Sequence, residues 1–192
     1  MPTFIRPGAQ VPGAGNVNFD PFIASGGVYV TAAIPCQTMG TVGIGANRFY
    51  MAPHIMKGAG VITSVSFQNT ANTPNVRVGV YSLNGATMAL LQQSASTSIG
   101  SSAVHDVDIT DINYVDGDAF MVGIISDATL TMRSMATGLM VGSDYPMAAT
   151  GFENTGNLAG YRCDFSYGAL EEPPVMDQIA ETMPILALKI SS

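Results

Sequence analysis

The sequence predicts an all-β fold, an antiparallel, jelly-roll-like β-sandwich preceded by an extended N-terminal arm. Three observations predict it: from about residue 27 short apolar runs alternate with Gly-, Pro-, Asn- and Asp-rich turns, several runs alternate polar and apolar residues, and helical patterns are nearly absent. With 192 residues, the chain is long enough to bury a sizeable core in one domain.

Residues 1–27 are predicted to form the arm. They contain three Pro-containing, Gly-rich turns and no sustained periodicity. Their apolar content is high for a free tail and favours docking on this or a neighbouring subunit, although an N-terminal edge strand of the same domain explains it about as well. The candidate assembly residues of the arm are Phe4, Ile5, Val11, Phe19 and Phe22.

Residues 28–192 are predicted to form a single β-sandwich domain. In the segment 61–68 the odd-numbered residues are predicted to share one strand face and the even-numbered residues the other. Residues 120–125 are apolar on both faces, as expected for a central strand whose second face is covered by another sheet, a loop or a neighbouring subunit. The ten predicted strands span residues 28–34, 48–52, 61–68, 76–82, 88–93, 104–110, 119–126, 129–133, 161–167 and 185–190.

Two strands end in similar sequences, RVGVYS at 77–82 and MVGIIS at 121–126. A weak internal duplication would explain the similarity. A glycine within a strand more often marks a bulge or a close approach of another group to the backbone, so we favour that explanation for Gly79 and Gly123.

Two long segments interrupt the predicted strands, at 134–160 and 168–183. The first is predicted to be a contact loop, because unbranched Met suits an adaptable surface; a loop packed on its own sandwich is nearly as good an explanation. In the second segment, Pro173 and Pro174 at the start of residues 176–181 favour a helical turn there. The candidate contact residues are Met135, Leu139, Met140, Tyr145, Met147 and Phe152.

The charge pattern predicts no nucleic-acid binding, because the seven basic residues are scattered singly and form no stripe along a phosphate backbone. Residues 1–96 carry four basic residues and one acidic residue, whereas residues 97–192 carry three basic and thirteen acidic residues. The net charge of −7 therefore comes from the second half. Every apolar run is shorter than the roughly 18 residues that span a bilayer, which predicts no membrane insertion.

The N-terminus has Pro and Gly where a signal peptide has an apolar segment, which predicts synthesis and residence in a reducing cytoplasm. Cys36 and Cys163 show no CxxC or Cys/His spacing. They are predicted to be small buried hydrophobic residues rather than a disulfide or zinc pair.

The two histidines, His54 and His105, do not stand in a recognisable catalytic setting. His105 alternates with Val107 and Ile109 on a strand face opposite Asp106, which predicts a core-facing or rim histidine rather than a catalytic base. The motifs of serine hydrolases, zinc proteases and nucleotide-binding enzymes do not occur. The chain is therefore predicted not to be an enzyme and to use no cofactor.

Weak metal candidates lie in the acidic stretch, but its spacing does not fit an EF-hand, and a solvated acidic rim with an Asp-Gly turn is the simpler interpretation. The candidates are Asp106, Asp108, Asp116 and Asp118. Direct sugar binding is a secondary hypothesis, because the chain has 7 Tyr but no Trp and most Tyr residues fall at strand positions.

The order of four segments is distinctive: NRFYMAP at 47–53, VITSVSF at 61–67, NVRVGVYS at 75–82 and DGDAFMVGI at 116–124. With the terminal PILALKI at 184–190, it resembles a β-sandwich module that recurs in virion proteins of tailed bacteriophages. The strong part of the resemblance covers under half of the chain. Where many members have Tyr-Trp, this chain has Ala119-Phe120-Met121, which weakens the inference of a sugar site on that strand.

The resemblance implies a non-enzymatic structural component of a phage virion, made in the host bacterial cytoplasm. Its place in the particle would be the head decoration, the tail or a tail fibre. The implied partners are other virion proteins, in a closed homo-oligomer, with a trimer favoured. The alternative is an adhesion module for host recognition that binds a receptor or a host-surface glycan.

Overall fold

A computed structural model describes residues 23–24, 27–31, 38–84, 87–100, 102–136, 160–171, 178–180 and 182–191. These residues form strands joined by turns, and no helix occurs among them. The strands are β1 (Ile23–Ala24), β2 (Gly27–Thr31), β3 (Thr38–Ile44), β4 (Arg48–Ile55), β5 (Gly60–Ala71), β6 (Asn75–Asn84), β7 (Thr87–Gln93), β8 (Thr97–Ser98), β9 (Val104–Tyr114), β10 (Ala119–Ser126), β11 (Leu130–Ala136), β12 (Gly160–Asp164), β13 (Gln178–Ala180), β14 (Thr182–Pro184) and β15 (Leu186–Ser191).

The strands form two antiparallel sheets. Sheet I has the order β1-β2-β15-β5-β11-β14, with β9 also paired to β5 and β3 also paired to β11. Sheet II has the order β13-β12-β4-β10-β6-β7, with β8 also paired to β6. From β3 to β6 and again from β9 to β12, the chain passes to the other sheet at every step. This arrangement confirms the predicted all-β sandwich.

All ten predicted strands are confirmed, with ends shifted by a few residues. β1, β3, β8, β13 and β14 were not predicted. The helical turn predicted at 176–181 is wrong, because residues 178–180 pair with β12 in sheet II. The segments predicted as loops at 134–160 and 168–183 contain the end of β11, the start of β12, β13 and β14.

The main core lies between the sheets and contains side chains from both, including Val78, Val122, Val65 and Leu188. In β5 the predicted alternation holds for Val65 and Phe67 but fails for Ile62, which is also in the core. The β5–β9 register shifts between Ile62 and Ser64, and this irregularity reverses which side chains point inward. The prediction that all odd-numbered residues of 61–68 share one face is therefore wrong at its N-terminal end.

A second hydrophobic cluster, here called the outer cluster, covers the other face of sheet II. It explains why residues 120–125 are apolar on both faces: Val122 and Ile124 point into the main core, whereas Met121 and Ile125 point into the outer cluster. Burial in this cluster raises the pKa of the Tyr161 hydroxyl. Its buried members are Phe49, Met51, Tyr81, Met121, Ile125, Tyr161, Cys163 and Leu170.

Residues 165–171, here called the strap, cross the outer cluster after β12. The side-chain amide of Gln93 donates to the Leu170 carbonyl at 2.9 Å and its oxygen accepts from the Leu170 N–H at 2.7 Å. At the other end, the Asn47 backbone and side-chain oxygens accept from the N–H groups of Phe165 and Tyr167. The sequence left three possible coverings for the second face of residues 120–125: another sheet, a loop or a neighbouring subunit. The structure shows a loop, the strap.

The two strand glycines lie directly opposite each other, Gly79 in β6 and Gly123 in β10. The Phe49 ring sits over Gly123, where a Cβ would collide with it, and a Leu170 methyl group sits over Gly79. The prediction that these glycines mark close approaches to the backbone is confirmed. The lack of side chains at this cross-strand pair makes room for the aromatic ring and for the strap.

Candidate interaction surface

A shallow groove of about 240 Å³ lies on the outer face of sheet I. It lies where β5 stops pairing with β15 and pairs instead with β11. The surface is mostly apolar, and Val104 is 64 % exposed at its edge. The groove is lined by Ser66, Phe67, Gln68, Val104, Arg133, Ile185 and Ala187.

A polar cluster borders the groove and ties three strands together. Asp106 on β9 accepts a hydrogen bond of 2.6 Å from the Ser66 hydroxyl on β5. Its second carboxylate oxygen lies 2.5 Å from Lys189 Nζ on β15. Through these contacts Asp106 joins β9 to β5 and to β15 at the border of the groove.

Arg133 provides an exposed positive charge at the groove. Its backbone carbonyl accepts a hydrogen bond of 2.9 Å from Ile185 N, which fixes β11 beside the start of β15. Neither of the two salt bridges found within the described ranges involves Arg133. The groove therefore combines an apolar floor with one cation.

The four acidic metal candidates have separate structural roles. Asp106 is held by Ser66 and Lys189, and Asp108 lies exposed on the same strand. Asp118 accepts from Val115 N at 2.8 Å within the turn before β10, and Asp116 accepts from Gly58 N at 2.9 Å, which ties this turn to the connection between β4 and β5. In the part of the chain that the structure describes, no three His, Cys, Asp or Glu side chains converge in a way that could hold a metal ion.

The two histidines occupy different environments. His54 is completely buried between the sheets, with Nδ1 3.1 Å from the Ala52 carbonyl and Nε2 3.1 Å from the Leu186 carbonyl of the opposite sheet. Burial lowers the pKa of His54 to about 4, so the ring is neutral at pH 7 and donates to only one of the two carbonyls. His105 packs against Phe67 at the rim of the sheet, as predicted.

The predicted assembly and contact residues are mostly outside the described residues. Of the arm, only 23–24 and 27 are described, and they form a hairpin that extends the edge of sheet I beyond β15. This pairing favours an edge strand for that end of the arm. Met135 lies in β11, and Cys163 is buried as predicted. Phe4, Ile5, Val11, Phe19, Phe22, Leu139, Met140, Tyr145, Met147, Phe152 and Cys36 lie outside the described residues.

Sequence reasoning missed the groove and the polar cluster beside it. Ser66 is separated from Asp106 by 40 residues and Asp106 from Lys189 by 83, so their meeting depends on the pairing of three strands. The available signal was the polar face of the 61–68 alternation, which places serines on the outside of the sheet. That pattern did not indicate which residues lie opposite them.

No protein-family model matches the chain, and no curated protein is significantly similar to it in sequence. Among the residues that the structure describes, no helix is long and apolar enough to cross a membrane.

Proposed function

We propose that this protein is a non-enzymatic structural component of a tailed-phage virion and acts through protein–protein assembly. The observation that carries the proposal is the resemblance of its strand sequences to the virion β-sandwich module. Three of the segments that carry this resemblance lie in β4, β10 and β6, which are consecutive neighbours in sheet II. The other two lie mainly in β5 and β15, which are neighbours in sheet I.

The surface of the sandwich also supports an assembly role. Large apolar side chains are exposed at Ile55, Leu91, Val104 and Val115, and Val104 borders the groove. In the whole sequence only 11 % of residues are charged, less than half of the roughly 25 % typical of soluble domains. A surface with few charges and exposed apolar residues suits a protein that is covered by neighbouring subunits.

Deletion of residues 1–22 tests the assembly role of the arm. This deletion keeps β1 and β2, which pair within sheet I, so the truncated chain is expected to retain the strand content and thermal melting of the full chain. It is expected to be absent from purified particles when it replaces the full chain during phage production. The measurement is the amount of each chain in purified particles, with the melting temperature as the control for folding.

A truncated chain that enters particles as well as the full chain would contradict the role of the arm. A full chain that is absent from particles and adheres to host cells would contradict the structural role and favour the adhesion alternative.

A further inference from the structure

We propose that the groove on the outer face of sheet I binds residues 19–22 of a second copy of this chain. This inference rests on the proposed assembly function and specifies the surface that receives the arm. The groove volume of about 240 Å³ is below the roughly 300–1,000 Å³ of sites for drug-sized ligands. It suits one or two side chains of a peptide segment.

The chemistry of residues 19–22 matches that of the groove. Asp20 is the only acidic residue in the first 96, and Phe19 and Phe22 stand on either side of it. The groove has the complementary pattern, an apolar lining with the cation of Arg133 at its border. A carboxylate can accept two parallel hydrogen bonds from a guanidinium while the flanking rings cover the apolar lining.

Pro21 supports this mode of binding. A residue before proline disfavours the helical region and favours extended conformations, which are those of a peptide that lies along a sheet, and Asp20 precedes Pro21. Less conformational entropy is then lost when the segment binds.

The position of β1 favours a second copy over the same chain. Ile23 pairs with Val28, and Val28 pairs with Ile190 of β15. Ile185, which lines the groove with Arg133, lies five residues before Ile190 in the chain. Three strand spacings and five residues of rise separate Ile23 from Arg133 by roughly 22 Å. The three residues from Asp20 to Ile23 span at most about 10 Å, so within one chain the pair of Asp20 and Arg133 could form only with the segment and the Arg133 side chain both fully extended. A second copy has no such restriction.

Charge reversal tests the pairing. Asp20→Arg and Arg133→Asp are each expected to raise the concentration needed for oligomer formation by about tenfold or more, because each places like charges together. The double variant Asp20→Arg/Arg133→Asp is expected to restore assembly, because it recreates the pair in the opposite sense. Lys57→Asp, at an exposed position outside the groove lining, is the matched control and is expected to behave like the parent chain.

The measurement is the mass of the full chain by light scattering over a range of concentrations. An oligomeric parent whose mass is unchanged in both single variants, or a double variant without recovery, would overturn the groove assignment and leave the assembly function standing. A parent that stays monomeric throughout would instead overturn the assembly function.

Cysteine pairing distinguishes the second copy from the same chain. A mixture of full-length Asp20→Cys and Arg133→Cys chains is expected to form covalent dimers with a short bis-maleimide cross-linker, well above the level in either variant alone or in the parent chain. The cross-linker is needed because the Cα atoms of an Asp–Arg pair can lie farther apart than a disulfide allows. An Asp20→Cys/Arg133→Cys chain that forms only an internal cross-link, with no dimer from the mixture, would overturn binding between copies.

Discussion

Replacing Phe49 by alanine is expected to lower the free energy of unfolding by about 3–5 kcal/mol. The Phe49 side chain is 1 % exposed, covers Gly123 and contacts the rings of Tyr81 and Phe165. Its removal would leave a cavity between β4, β10 and the strap. Urea unfolding followed by circular dichroism measures the change.

A double-mutant cycle with Gly123→Ala tests whether the Phe49 ring is the reason why residue 123 must be a glycine. In the parent chain Gly123→Ala is expected to cost about 1–3 kcal/mol, because the new methyl group collides with the Phe49 ring. In the Phe49→Ala chain the same change is expected to cost much less, since the ring is gone.

Gly60→Ala is the control, because this glycine lies in β5 of the opposite sheet and its new methyl group would meet Tyr114 rather than Phe49. Its cost is expected to be similar with and without Phe49. Equal costs for Gly123→Ala in both backgrounds would show that the Phe49 ring is not the cause.

Stability is expected to fall by about 3 kcal/mol between pH 6.5 and pH 4 because of His54 alone. Burial lowers the pKa of His54 from 6.5 to about 4, so the unfolded chain takes up a proton before the folded chain does. The stabilising contribution is thus present above pH 6.5 and is lost as the pH falls towards 4. The measurement is the free energy of unfolding in urea at a series of pH values.

His54→Gln is expected to remove most of this pH dependence, whatever its effect on stability at pH 7. His105→Gln, at the partly exposed rim position, is the matched control for loss of a histidine. A His54→Gln chain that loses stability over this pH range as steeply as the parent would contradict the assignment.

Alternation and turn residues were sufficient to locate ten strands, because valine, isoleucine and aromatic residues recur at strand positions between glycine- and asparagine-rich turns. β3 was missed because its sequence TMGTVGI contains two glycines, which weaken the strand signal. β13 and β14 have three residues each and follow a Pro-rich stretch, so their strand character comes from pairing with β12 and β11.

The candidate surface was less predictable than the fold. The position of Ile62 in the core depends on an irregularity between β5 and β9, and such irregularities come from the pairing of strands rather than from local preference. The groove depends on where β5 changes partner from β15 to β11. Neither event leaves a pattern within one segment of the sequence.

The most direct test of the assembly account is the mass of the purified full chain in solution, measured by light scattering alone and after mixing with particles that lack it. The account predicts a stable closed oligomer, with a trimer favoured, that binds to those particles. A chain that is monomeric at all concentrations and does not bind to the particles would contradict it.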